Sequence, residues 1–199
     1  MFLDAARADP SGAVIPIRAF ALGKARLAAS LDESERAALG RAWAEQVVRA
    51  AAPMPIVVVS SDPDVRVWAA EVGCTAIDDP GTLDGAAAAG RDHLLRERGC
   101  ARVVIAHADL PRARDLSRLV RDAAQPVVAL VPCHRDDGTT VLSVPVDVPF
   151  RFAYGPGSFR RHAAEARRLG LGFRVVRDAE LAFDVDVPDD LDRLDLLVP

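Results

Sequence analysis

Near the C-terminus, Phe183-Asp184-Val185-Asp186-Val187-Pro188-Asp189-Asp190 sets two carboxylates one residue apart in an apolar, β-branched background. Residues two apart on a strand share a face, so Asp184 and Asp186 are expected on one side, Val185 and Val187 on the other. Aspartate is disfavoured in strands, and a pair of them there asks for a reason. One reason is a divalent cation at the end of a sheet, and Mg2+ on carboxylates usually comes with a phosphate. The other is a helix start, with Pro188 in the first turn and Asp186 or Asp189 as its cap.

Three more segments carry chemistry. Ala108-Asp109-Leu110-Pro111 follows an apolar run and offers either a turn-forming Asp or a third carboxylate. Three carboxylates ~5 Å apart would repel by roughly 3 kcal/mol per pair at an effective dielectric near 20, so such a cluster needs cations or protons. The stretch from Arg18 through Gly23-Lys24-Ala25-Arg26 holds three cations and one Gly. It reads as a loop that wraps a polyphosphate or as a solvated basic loop, and its spacing is that of neither a P-loop nor G-x-G-x-x-G. Asp137-Gly138-Thr139-Thr140 and Tyr154-Gly155-Pro156-Gly157-Ser158-Phe159 combine glycines with hydroxyls ahead of a helix. That is either an anion nest of backbone N–H groups or an ordinary Gly-Pro turn with a Ser cap.

Positioning these residues requires short strands alternating with helices. Apolar, β-branched runs predict strands at 13–17, 56–60, 74–77, 102–107, 127–131, 141–144 and 173–176. Helices are predicted from the Asp32/Glu35 capping box, from Asp62-Pro63, over 83–97, over 115–124 and over 158–169. The pattern is that of a single-domain α/β sandwich with a mostly parallel sheet, in which ligands bind outside the carboxyl ends of the strands. Residues 1–12 read as an irregular leader and 13–199 as the domain.

Composition narrows the function. A formal charge of −4 over 199 residues argues against a nucleic-acid partner, and no apolar run approaches the roughly 18 residues of a membrane span. Cys74, Cys100 and Cys133 share no metal-ligand spacing and suit buried thiols in a reducing cytoplasm. His93 falls mid-helix, His134 in a loop, and His162 on the polar face of its helix. His107 stands beside Asp109, and no Ser-His-Asp or Cys-His arrangement emerges.

Taken in order, these segments resemble the guanylyltransferases of coenzyme F420 biosynthesis, which join GMP to 2-phospho-L-lactate or phosphoenolpyruvate. The motifs are Val14-Ile15-Pro16 through Lys24-Ala25-Arg26-Leu27, Ala108-Asp109-Leu110-Pro111, Gly138-Thr139, Tyr154 to Phe159, and Asp184-Val185-Asp186-Val187-Pro188. The resemblance implies an α/β/α sandwich with the nucleotidyltransferase fold shared with nucleotide-diphospho-sugar transferases. It implies a Mg2+ cofactor held by Asp109, Asp184 and Asp186. Lys24 joins these three as catalytic, and Arg18, Lys24, Arg26 and Asp84 are expected on the nucleotide. Thr139, Thr140, Gly155 and Ser158 are expected on the phosphorylated acid. GTP and that acid are the expected partners of a cytoplasmic monomer or homodimer. Four positions depart from the family pattern: Arg18 for Lys, Ala25 for Ser, Asp84 for Asn and Thr140 for Asn. The alternatives are another acceptor, such as 3-phosphoglycerate or molybdopterin, a glycosyltransferase using the D-x-D, or a non-catalytic nucleotide-binding module.

Overall fold

The computed structural model describes residues 10–20, 25–120 and 127–195. Seven strands form one sheet in the order β3-β2-β1-β4-β6-β5-β7. They are β1 (Ser11–Pro16), β2 (Ile56–Val59), β3 (Thr75–Ile77), β4 (Arg102–Ala106), β5 (Val127–Pro132), β6 (Thr139–Pro145) and β7 (Gly172–Val175). β6 runs antiparallel to both β4 and β5, and the other pairings are parallel. The strands follow the predicted runs closely, although β1 begins at Ser11, two residues ahead of the expected start.

Period-two alternation decides which face each strand residue covers. Ala13, Ile15, Val58, Val104, Ala106, Ala129 and Val131 face one core, together with Ala44, Val47, Val65 and Trp68. Val14, Val57, Val59, Val103, Ile105, Val128 and Leu130 face the other, together with Ala86, Leu94, Ala163 and Ala166. The first set of helix residues belongs to α1 (Glu33–Ala51) and α2 (Pro63–Glu71), the second to α3 (Leu83–Arg98) and α4 (Ser158–Arg168). Both faces of the sheet are therefore covered, which makes the three-layer sandwich.

Local chemistry starts and stops the helices. Asp32 and Glu35 exchange 2.8 Å bonds with each other's backbone N–H groups, completing the capping box ahead of α1. Asp62 caps α2 with Pro63 behind it, and Thr82 caps α3. Gly99 ends α3 at φ 60°, a left-handed conformation that costs glycine little.

Four expectations need correction. The 115–124 segment forms only a short 3-10 turn, Leu116–Leu119, capped by Asp115, and 121–126 lie outside the described residues. The D-x-D segment belongs to no strand (its backbone bonds go to several elements, below). Gly157, not Ser158, occupies the N-cap of α4, at φ 72°. His162 is fully buried rather than solvated. Cys100 and Cys133 are buried and Cys74 half-buried, all as free thiols. Among the described residues no helix is long and apolar enough to cross a membrane.

Candidate active site

The strand order reverses between β1 and β4, so the crevice beyond their carboxyl ends is where a ligand is expected. β4 delivers His107 and Asp109 there. Because β6 is antiparallel, it delivers its first residues, not its last, to the same edge: the His107 N–H donates to the Thr140 carbonyl at 3.0 Å. β5 ends in the turn of residues 133–138, closed by the Cys133 N–H on the Gly138 carbonyl at 3.0 Å.

The D-x-D segment is laced across these three ends. The His134 N–H donates to the Ala182 carbonyl at 2.8 Å, the Val185 N–H to that of Asp109 at 3.4 Å, and the Thr140 hydroxyl to that of Leu181 at 2.7 Å. Partners on three elements cannot make a ladder, which is why the segment is no strand. Its alternation nonetheless holds. Phe183 and Val185 pack with Leu27 of the 3-10 turn Ala25–Leu27 and with Trp43 of α1, and Arg112 lies over the Phe183 ring at 4.2 Å.

Asp184 is thereby brought among like charges. Burial pushes its carboxyl above the usual range, and the charges of Asp109 and Asp186 push it further; its own backbone N–H and His107 oppose them. Asp184 thus lies under the charges of both other aspartates singled out in the sequence. His134, which sequence reasoning left in a loop, places Nδ1 3.1 Å from Asp184 Oδ1.

Asp190 is fully buried and does the capping expected of Asp186 or Asp189. Its Oδ2 accepts the N–H groups of Asp186 at 2.9 Å and Val187 at 3.1 Å, at the start of α5 (Pro188–Asp195). Arg135 Nη2 adds bonds of 2.9 and 2.8 Å to its two oxygens. Burial alone would raise the Asp190 carboxyl, but Arg135 and the two N–H groups outweigh it and the net direction is down. A carboxylate at the third helical position was a readable signal, since that is where a capping box places its acid.

The residues fit Mg2+ by donor chemistry: hard carboxylate oxygens whose mutual repulsion a cation would relieve. Among the described residues no three carboxylate, imidazole or thiol side chains converge into a cage. A Mg2+ of phosphoryl transfer needs only one or two carboxylates, with substrate phosphates and water supplying the remainder.

The expected acceptor residues gather at the start of β6 and at the start of α4. The Thr139 N–H donates to Ser158 Oγ at 2.9 Å, and both side chains are buried, as is that of Thr140. His162 Nε2 accepts the Ala153 N–H at 3.0 Å, so Nδ1 carries the proton and donates to Thr139 Oγ1 at 3.1 Å. Burial, then the charges of Arg161 and His107, lower His162 to about 4 against a weaker opposing effect of Glu165, which keeps it neutral.

Gly155 is exposed at φ 97°, and Arg161 binds the carbonyls of Ala153 (2.9 Å), Tyr154 (2.8 Å) and Pro156 around it. Asp84 accepts the Tyr154 N–H at 2.6 Å, so the residue expected on the base also braces this loop. Arg18 and Arg26 are exposed on the connection after β1, and Lys24 lies outside the described residues.

A family model described as guanylyl transferase, CofC like, matches residues 11–197. The chain is 38% identical over 189 residues to a phosphoenolpyruvate guanylyltransferase of Sphaerobacter thermophilus, covering 92% of this chain and 91% of the relative. It is 32% identical to a 2-phospho-L-lactate guanylyltransferase of Methanothermobacter thermautotrophicus (92% and 82% covered). It is 31% identical to a 3-phospho-D-glycerate guanylyltransferase of Phenylobacterium zucineum (89% and 86% covered). In fold it is similar to a Desulfovibrio desulfuricans protein classed as a nucleotide-diphospho-sugar transferase, with a TM-score of 0.75 at 18% identity over 92% of this chain and 85% of that one. The protein is a nucleotidyltransferase, and it belongs to the CofC-like guanylyltransferase family.

Proposed function

We propose that the protein transfers GMP from GTP to a small acid bearing both a phosphate and a carboxylate, phosphoenolpyruvate or 2-phospho-L-lactate, in the cytoplasmic biosynthesis of coenzyme F420. The observation that carries this reading is the D-x-D segment laid across the ends of β4 and β6, with the Val185 N–H on the Asp109 carbonyl and the Thr140 hydroxyl on the Leu181 carbonyl, which brings Asp184 under the charges of Asp109 and Asp186. Asp109, Asp184 and Asp186 would hold Mg2+, which supplies charge screening between two anionic reactants and a more electrophilic α-phosphorus.

A phosphate oxygen of the acceptor attacks the α-phosphorus in line, a new O–P bond forms, and the bond to the β-phosphate oxygen breaks to release pyrophosphate. The attacking phosphate is already ionised near pH 7, so no general base is required. Arg18, Lys24 and Arg26, on the connection after β1, balance the charge gathering on the departing pyrophosphate. The loop around Gly155, braced by Arg161 and Asp84, presents backbone N–H groups to the acceptor acid, with Thr139 and Ser158 fixing its base. The relative named for 3-phospho-D-glycerate supports a second acceptor of the same class.

The test is pyrophosphate release from GTP and Mg2+ with each of the three acids offered separately. One acid should support release. Asp109→Asn and Asp184→Asn should lose more than the ~10–100-fold that outer partners of a metal site cost, while far-ultraviolet circular dichroism stays unchanged. Wild-type turnover in either variant would refute the assignment of the aspartates.

A further inference from the structure

We infer that His134 is a positioning residue for this reaction: its imidazole N–H holds the Asp184 carboxylate in the orientation in which it takes the metal ion. The inference rests on the metal role proposed for Asp184 and adds a residue that the sequence alone left in a loop.

The geometry is specific. His134 Nδ1 lies 3.1 Å from Asp184 Oδ1. A carboxylate can only accept, so Nδ1 carries the hydrogen. The ring is held on several sides. The backbone N–H of His134 donates to the Ala182 carbonyl at 2.8 Å, pinning the turn against the D-x-D segment. The ring packs on Phe183, centroids 5.4 Å apart and planes tilted by 32°. Beyond it sits Asp190, whose Oδ1 is 3.4 Å from His134 Nε2 but off the line of a hydrogen bond. Asp190 in turn is locked by Arg135 and by the Asp186 and Val187 N–H groups. Two neighbours in the β5–β6 turn, His134 and Arg135, therefore grip two carboxylates, Asp184 within the D-x-D and Asp190 just beyond it.

Such a grip has a purpose at this position. A carboxylate rotates freely about its last side-chain bond, and near Asp109 and Asp186 it gains by turning away from them. A donor fixed on Oδ1 opposes that rotation and removes part of the ordering cost when a cation arrives. Outer partners of metal ligands act in this way, and their loss typically weakens metal affinity about 10–100-fold.

The test compares wild type, His134→Ala and His134→Asn. Asparagine can place an amide N–H near the position of Nδ1, so it keeps the donor without the ring. Mn2+ held by the protein in the presence of GTP, with no acceptor acid, is read by water-proton relaxation enhancement, which separates it from free Mn2+–GTP. Melting temperature is measured alongside. His134→Ala should weaken Mn2+ binding about 10-fold or more, and His134→Asn should restore most of it. The Mn2+ concentration for half-maximal turnover should rise in parallel, while KM for GTP at saturating Mn2+ stays unchanged. Unaltered Mn2+ affinity in His134→Ala overturns the inference, as does an equal loss in both variants. If the wild-type protein itself holds no Mn2+, the metal role of the aspartates fails and takes this inference with it.

Discussion

At the scale of the residue, His162 is the group with the clearest dependence on solution conditions. Its Nε2 is committed to the Ala153 N–H, so a second proton would have to break that bond inside the core. Burial first, and the charges of Arg161 and His107 after it, lower its pKa from 6.5 to about 4. Between these two values the unfolded chain takes up a proton that the folded chain refuses. Stability is thus fully present above pH 6.5 and is lost as the pH falls towards 4, by about 3 kcal/mol in all. His162→Gln, which can still accept from Ala153, should flatten that window when denaturant unfolding is compared at pH 7 and pH 4.5. A variant whose stability falls as steeply as the wild type's would acquit the imidazole. Glu165 acts in a separate, lower window. Arg168, aided by the Arg151 N–H and opposed by burial, depresses its carboxyl to about 2, so its contribution is lost only as the pH drops below 4.5.

At the scale of the element, two helical glycines should respond in opposite directions to the same change. A Cβ at Gly90 of α3 would lie 2.8 Å from Val14 Cγ2 and closer still to Cγ1, because that helix rests directly on β1. A Cβ at Gly40 of α1 would meet only Phe20 Cδ1, at 3.7 Å. Gly90→Ala should cost about 1–3 kcal/mol through overpacking, and Gly40→Ala should gain about 0.5–1 kcal/mol from helix propensity. Thermal melts that moved both variants the same way would show that α3 can retreat from β1. The close approach explains what the sequence could and could not disclose. Strands such as 102–106, buried on both faces, and helices opened by Asp32 or Asp62 were legible, because alternation and caps are local. The antiparallel docking of β6 on β4 and the contact of Thr139 with Ser158 join residues 19 or more apart in sequence. The D-x-D read as a strand since its alternation is real. Only the tertiary bonds to Thr140, His134 and Asp109 show that it lies across strand ends. His162 looked solvated among Arg160, Arg161 and Arg168, yet the Phe150 and Tyr154 rings cover it.

At the scale of the whole molecule, the site's charges come from different elements: Asp184 lies under the charges of Asp109 and Asp186 near the ends of β4 and β6, while Arg18 and Arg26 are exposed on the connection after β1. The protein as a whole carries −4, so a free nucleotide triphosphate is repelled both by the chain and by the local cluster. A divalent cation offsets most of the local negative charge, and nucleotide binding should therefore depend on it in the folded protein's stability as well as in turnover. A ligand present at 100 times its Kd stabilises the state that binds it by about 2.7 kcal/mol. For a domain of this size each kcal/mol shifts the melting temperature by about 2–4 °C. GTP with Mg2+ should then raise the melting temperature by roughly 5–10 °C, and GTP with a chelator by far less. Asp184→Asn keeps an oxygen for the His134 N–H but removes the charge, so it should lose most of the Mg2+-dependent part and little of the remainder. The pairing of conditions matters because it separates two sources of affinity. A shift that survives chelation and the substitution alike would mean that Arg18, Lys24, Arg26 and backbone N–H groups hold the nucleotide by themselves, with the aspartates serving another end. A shift that disappears under both would tie the three carboxylates to the nucleotide through the cation, independently of whichever acid accepts the GMP.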